Sequence, residues 1–195
     1  MSADEAGKDH AAGAQLRVAV VTVSDTRTEA TDEGGRLIRE LCEAEGIAID
    51  SAVILRDEPA EIAAHVLALV SEAGARRLNA VLLTGGTGIA RRDTTVEALA
   101  ALFDKTLEGF GELFRMLSFA EVGAAAMLSR ATAGIVGQVA VFLMPGSPKA
   151  VRLAMTRLIL PELGHVAGLL AGPTAGPATS AAPRHHEHPR HHDHR

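Results

Sequence analysis

Asn79-Ala80-Val81-Leu82-Leu83-Thr84-Gly85-Gly86-Thr87-Gly88 is the stretch from which the fold is read. Its first half is a short apolar run, the pattern of a strand buried on both faces of a parallel sheet. Its second half breaks that run with three glycines interleaved with two threonines. Without a Cβ, glycine lets backbone N–H groups approach an anion closely, above all where a helix begins just downstream. The spacing is not a nucleotide P-loop, since no Gly-Lys-Ser/Thr follows, and not a dinucleotide fingerprint, since the third glycine position is Arg91. The segment therefore predicts a strand, an anion- or phosphate-binding turn and a helix. A tight βα turn without a ligand is the plainer alternative, but it requires fewer glycines.

The flanking sequence repeats the alternation. Arg17–Val23 (RVAVVTV) reads as a buried strand and Asp50–Leu55 as another. Between them, Thr31–Gly46 places Leu37, Ile38, Leu41 and Cys42 at helical spacing and stops at a glycine. Glu58–Ala75 sets Ile62, Val66, Leu69 and Val70 on one helical face. Beyond the glycine turn, a helix is predicted from about Thr94 to Phe103, and Gly109–Met127 reads as helical with breaks near Ser118 and Gly123. Arg130–Ile135 and Gln138–Met144 flank Val136-Gly137 as a hairpin or two short strands, and Pro148–Val166 is the last helix. No internal repeat is present. The pattern predicts an α/β fold, a three-layer α/β/α sandwich around a mostly parallel sheet. We expect one domain over residues 16–170, an N-terminal arm over 1–15 and a tail over 171–195.

Composition narrows the function classes. A chain of 195 residues is long enough for one α/β core and short for two. Aromatics make up 3% with no Trp or Tyr, which leaves no base-stacking platform, and the net charge of -5 opposes a phosphate-tracking surface. Nucleic acid is therefore not an expected partner. A single cysteine, Cys42, cannot form an internal disulfide and fits a reducing cytoplasm. Charged residues near the N-terminus (Asp4, Glu5, Lys8, Asp9) do not make a signal peptide, and no stretch is read as the roughly 18 apolar residues of a membrane span. Six histidines crowd the tail between His185 and His194. Such a tract can take up transition metals, but Pro183 and Pro189 oppose a fixed scaffold, so residues 173–195 are expected to be dispensable for folding and activity.

In parallel sheets, ligands bind where carboxyl ends of strands enter helices. Four such loops carry matching chemistry: Ser24-Asp25-Thr26-Arg27, Asp57-Glu58-Pro59, the Thr84–Gly88 loop with Arg91-Arg92-Asp93 beyond it, and Pro145-Gly146-Ser147-Pro148-Lys149. Arginines beside an aspartate can clamp phosphate and hold a divalent cation, while Thr94 and Glu97 match a capping box, so that segment also reads as a plain helix start. Ser147 is a natural N-cap and Pro148 a natural first helical residue, a pairing that presents free N–H groups. Acids at a sheet edge often only cap helices, but four loops converging on one edge favour a phosphorylated ligand.

Taken together, Thr84-Gly85-Gly86-Thr87-Gly88, Arg92-Asp93, Gly109-Phe110-Gly111-Glu112, Ser129-Arg130-Ala131 and Pro145-Gly146-Ser147 resemble the MoaB/Mog family of molybdenum cofactor biosynthesis over roughly Leu16–Val166. Gly109–Gly123 is most similar to the B-type branch and Arg91-Arg92-Asp93 to the Mog branch. The resemblance implies adenylylation of molybdopterin with ATP and Mg²⁺, releasing pyrophosphate. It implies catalytic roles for Asp57 and Asp93, with Asp93 as the Mg²⁺ ligand. It further implies substrate contacts from Ser24, Asp25, Thr84, Gly85, Gly86, Thr87, Gly88, Arg92, Ser129, Arg130, Pro145, Gly146, Ser147 and Pro148. The alternative left open is a non-catalytic, oligomeric pterin- or nucleotide-binding protein of the same pathway. Implied partners are further copies of the chain, as a homotrimer or homohexamer, and the molybdenum-insertion protein of the pathway.

Assembly also has a sequence argument. Phe103, Phe110, Phe114, Met116, Leu117 and Phe119 fall within seventeen residues, more bulky apolar surface than one helix buries. Part of it is expected between subunits, with a charge at Phe114 expected to disrupt the assembly. Glu112 and Arg115 read as an i,i+3 helix pair.

Overall fold

The computed structural model describes residues 15–172, so the histidine tract and nearly all of the N-terminal arm lie outside the described residues. The strands are β1 (Arg17–Val23), β2 (Ala48–Leu55), β3 (Ala80–Thr84), β4 (Lys105–Thr106), β5 (Thr132–Val136) and β6 (Val139–Met144). They form one sheet in the order β2-β1-β3-β6-β5-β4. The first four strands in that order run parallel, while β5 is antiparallel to β6 and β4 antiparallel to β5. The helices are α1 (Glu33–Ala44), α2 (Pro59–Ser71), α3 (Ala73–Arg76), α4 (Thr95–Ala100), α5 (Glu108–Val122), α6 (Pro148–Ala154) and α7 (Leu160–Ala171). A 3₁₀ turn, Gly123–Leu128, follows α5, and a π-helical segment, Met155–Ile159, joins α6 to α7.

Alternation along the strands builds two cores, because successive side chains leave a strand on opposite faces. Val18, Val20, Leu82, Phe142 and Met144 pack with Leu37, Ile38, Phe114, Val151 and Met155, so α1, α5 and α6 cover one face. Val21, Val23, Leu83, Val141 and Leu143 pack with Ile62, Val66, Leu69 and Leu99, so α2 and α4 cover the other. This is the three-layer α/β/α sandwich expected of the pattern.

Several expectations are refined. The hairpin reading of β5 and β6 holds: Val136 faces Val139, and the turn is Gly137-Gln138, with the Gly137 N–H donating to Asp104 Oδ2 at 2.7 Å. Strand β4 was not foreseen, because two exposed residues, Lys105 and Thr106, carry no apolar pattern. The helix after the glycine turn is shorter than predicted, ending at Ala100. Pro148–Ala171 is one continuous helical run, long and apolar enough by length and composition to cross a membrane. That corrects the expectation that no stretch comes close. Here Val151, Leu153, Ala154, Met155, Ile159 and Leu163 bury one side of the run in the core. Phe114 is also corrected: at 1% exposure it belongs to this chain's own core, stacked near Phe110. The exposed bulk lies instead at Leu113, Met116, Phe119, Val122, Met127 and Leu128.

Candidate active site at the carboxyl edge of the sheet

Because β2, β1, β3 and β6 are parallel, their carboxyl ends and the loops that follow share one edge. The Thr84–Gly88 loop lies at its centre. Gly85 has φ +106° and Gly86 φ +64°, backbone states that side chains resist. Space is equally restrictive: a Cβ on Gly85 would overlap the Val23 carbonyl, and one on Gly86 would overlap the Thr95 hydroxyl and lie 3.1 Å from Asp57 Oδ2. The loop after β6 closes over it, with Gly85 N–H donating to Met144 O at 3.1 Å and Thr84 Oγ1 to Pro145 O at 3.1 Å.

On the α2/α4 side of this loop sit the two predicted acids. Asp57 Oδ1 accepts from the hydroxyls of Thr94 at 3.4 Å and Thr95 at 3.3 Å, and its backbone N–H donates to Asp25 Oδ1 at 3.3 Å. Burial pushes the Asp57 carboxyl above its ordinary value; the Thr94 N–H and the two hydroxyls hold it down, and the Asp93 charge adds to the rise. Asp93 closes its own loop, Oδ2 accepting the Ala90 N–H at 2.8 Å. That same oxygen would lie 2.6 Å from a Cβ on Gly88, which explains the third glycine. Among the described residues, no lysine or arginine forms a salt bridge with Asp57 or Asp93.

The predicted arginines are engaged by protein groups. Arg92 bridges Asp25 at 3.0 Å and Glu58 at 3.4 Å. Arg130 Nε donates to Gly88 O at 2.8 Å, Nη2 to Asp93 O at 2.6 Å, and Nη1 pairs with the Glu97 carboxylate. That pairing holds the Glu97 carboxyl below its usual range. The capping box read from Thr94 and Glu97 does not form. Thr94 occupies the N-cap position without a capping bond, because its hydroxyl turns to Asp57 and Glu97 turns to Arg130.

On the α1/α6 side, a cavity of about 320 Å³ is lined by Ser24, Arg27, Asp32, Thr84, Gly85 and Ser147, among others. Ser24 Oγ accepts the N–H groups of Thr26 and Arg27, and Ser147 Oγ caps α6 by accepting the Ala150 N–H at 3.3 Å, with Pro148 the first helical residue. A second chamber, about 350 Å³, lies between α1 and β2 and shares Thr22 and Asp32 with the first. Neither Asp57 nor Asp93 lines the first cavity, so the glycine loop separates acids from cavity. Ser129 lies apart, lining a smaller hollow of about 150 Å³ beside α5 together with Pro145 and Ser147.

Sequence reasoning gave Glu58 a place in a candidate loop but no partner, and it missed Thr95 and the pair Thr22–Asp32, in which Thr22 Oγ1 donates to Asp32 Oδ2 at 2.8 Å while Asp32 caps α1. Asp32 before Glu33-Gly34-Gly35 was a readable N-cap signal. Thr95 gave none, since its role depends on the fully buried position α4 gives it against Gly86.

Comparison with known proteins agrees with this geometry. The family model for a probable molybdopterin binding domain matches residues 19–165. Molybdenum cofactor biosynthesis protein B of Halalkalibacterium halodurans is 54% identical over 152 residues, covering 77% of this chain and 88% of that protein. The protein of the same name from Bacillus cereus is 51% identical over 153 residues, covering 78% and 89%. A crystal structure of a molybdenum cofactor biosynthesis protein B superposes with a TM-score of 0.77 at 50% identity, covering 81% of this chain and 97% of that one. A molybdopterin-binding fold with a glycine loop and acids at its carboxyl edge, and half-identical relatives over most of its length, make this chain a member of the MoaB/Mog family of molybdenum cofactor biosynthesis.

Proposed function

We propose that the chain transfers the adenylyl group of ATP to molybdopterin with Mg²⁺, releasing pyrophosphate. The observation that carries this reading is the pair Asp57 and Asp93. These two carboxylates flank the glycine loop, close enough for one charge to raise the other, and among the described residues no salt bridge to a lysine or arginine compensates either. Such a pair suits a divalent cation that completes its shell with substrate phosphates; a dedicated protein cage is not required, and among the described residues no group of three acid, histidine or cysteine side chains forms one. When bound, Mg²⁺ neutralises phosphate charge. The chain's own groups do the positioning. Loop N–H groups of Gly86, Thr87 and Gly88, with those of Gly146 and Ser147 at the start of α6, hold phosphate oxygens, Gly85 and Pro148 shape the backbone around them, and Asp57 and Asp93 orient the reacting centre. Two chambers, of about 320 and 350 Å³, that share the Thr22–Asp32 pair in their linings would supply space for substrate on the far side of the glycine loop. A terminal phosphate oxygen of molybdopterin bonds to the α-phosphorus of ATP as the bond to pyrophosphate breaks. A dianionic phosphate needs no base, so alignment and charge neutralisation carry the step.

Ser24, Asp25, Thr84, Thr87, Arg92, Ser129 and Pro145 complete the contact set in this reading, within one domain over residues 16–170 working in the cytoplasm. Its assembly is a homotrimer or homohexamer, and the molybdenum-insertion protein is the partner that would take the product. The second reading, a binder without turnover, is favoured by Arg92, whose guanidinium is already held by Asp25 and Glu58. Incubation of the protein with Mg-ATP and molybdopterin separates the two. Adenylyl-molybdopterin by mass spectrometry with stoichiometric pyrophosphate is the expected result; saturable nucleotide binding without product would overturn catalysis in favour of binding.

A further inference from the structure

Arg130 touches the candidate site in a way that the substrate contact implied for it by the resemblance does not suggest. It is 37 residues from Asp93 and 42 from Gly88 in sequence, yet three of its nitrogen donors reach the one loop. Its backbone N–H donates to Thr87 O at 3.1 Å, Nε to Gly88 O at 2.8 Å and Nη2 to Asp93 O at 2.6 Å, while Nη1 meets Glu97 on the helix that follows. A trans peptide sets its N–H opposite its carbonyl. Drawing these three carbonyls toward Arg130 therefore turns the N–H groups of Gly88, Ile89 and Thr94 the other way. The same segment brings the Thr94 hydroxyl to the Asp57 carboxyl, to which it donates at 3.4 Å. The remaining guanidinium edge is held by Glu97, which leaves the cation compensated and turned toward protein.

We propose that Arg130 is a positioning residue that staples the 87–94 loop, fixing the peptide groups that set Asp93 and Asp57 beside the glycine loop, and does not itself bind substrate phosphate. The role in turnover rests on the adenylyl-transfer reading above; the staple does not. Side-chain hydrogen bonds from a charged donor are each worth about tenfold to a hundredfold in the equilibrium they support.

The experiment uses the full chain with Arg130→Gln and Arg130→Lys, read by steady-state kinetics and by amide hydrogen exchange over residues 86–95. For Arg130→Gln we expect kcat to fall about tenfold or more with the KM for ATP within about threefold, and exchange in the loop to quicken about tenfold or more. Arg130→Lys, which keeps the charge but not the fork, should recover kcat only in part. A KM for ATP raised about tenfold with kcat retained would make Arg130 a ligand contact and overturn the proposal. Unchanged loop exchange in Arg130→Gln would overturn it as well. Should the wild type show no adenylyl transfer, the function reading fails by itself and exchange alone decides the staple. Should Arg130→Gln not fold, Glu97→Ala, which frees only Nη1, is to show the same loop exchange change at smaller size; no change there would also overturn it.

Discussion

Asp57 carries a charge that its surroundings do not favour. Burial raises its pKa above the ordinary value, and the Thr94 and Thr95 groups only partly offset this. Between the ordinary and the raised value the folded state holds more protons than the unfolded chain, so this residue's contribution to stability falls as pH rises through that window and stays low at neutrality. An asparagine keeps an oxygen for the two threonine hydroxyls and removes the unfavourable charge. Asp57→Asn is therefore expected to melt at or above the wild-type temperature at pH 7 while turnover falls about a hundredfold or more, an opposition typical of functional sites. Asp93→Asn has a parallel logic: the amide oxygen can still accept the Ala90 N–H, so melting should hardly change while adenylyl transfer is lost. Calorimetry beside the product assay checks both, and near-normal turnover in Asp93→Asn would remove it from the catalytic set. At this scale the sequence was informative about which residues gather, less so about what each touches. The acids and glycines could be found because they follow apolar strands. The turn of Glu97 toward Arg130 could not be, because a contact spanning 33 residues leaves no local mark and overrides a capping motif that local spacing favours.

Among the elements, α2 holds a polar atom that the fold leaves without a partner. His65 Nε2 is buried and unpaired among the described residues. Burial and the nearby Arg76 charge lower its pKa, and Glu61 on the same helix only partly counters them. A histidine kept neutral in the fold but free to protonate when unfolded takes stability away as pH falls from its ordinary value of 6.5 through the lowered one. His65→Leu fills the site with a side chain that needs no partner. We expect it to raise the melting temperature more at pH 5.5 than at pH 8. Equal shifts at both values would show that protonation is not involved. The elements also show where sequence patterns stop working. The buried strands announce themselves because both faces are apolar, and α1 because its glycine stop and spacing agree. Strand β4 is defined only by pairing to β5, and the π segment only by how the run from Pro148 to Ala171 packs, so neither leaves a pattern of its own.

For the whole molecule, the unresolved apolar surface is the outer side of α5 and the turn after it. Phe119 is 63% exposed, Met116 61% and Met127 76%, with Leu113, Val122 and Leu128 beside them. Scattered exposed apolar residues are ordinary, but six on adjoining segments form a patch of the kind that marks an interface. The crowding of bulky residues noted in the sequence thus divides in two: Phe110 and Phe114 belong to the core of the chain, Met116 and Phe119 to its outside. This separates two substitutions that sequence alone would treat alike. A charge at Phe114 would sit in the interior, where losing the ring costs about 3–5 kcal/mol before the buried charge is counted, so Phe114→Glu should unfold the chain. A charge at Phe119 meets solvent in the single chain and harms only a surface that must dehydrate. Light scattering on the wild type should give a multiple of 20.3 kDa, with three or six copies fitting the family resemblance. Phe119→Glu should give a smaller species of unchanged far-UV circular dichroism. A wild-type monomer at working concentration would rule out the interface, whereas an undiminished oligomer in Phe119→Glu would move it to another face, with α7 and its exposed Leu169 the next to test.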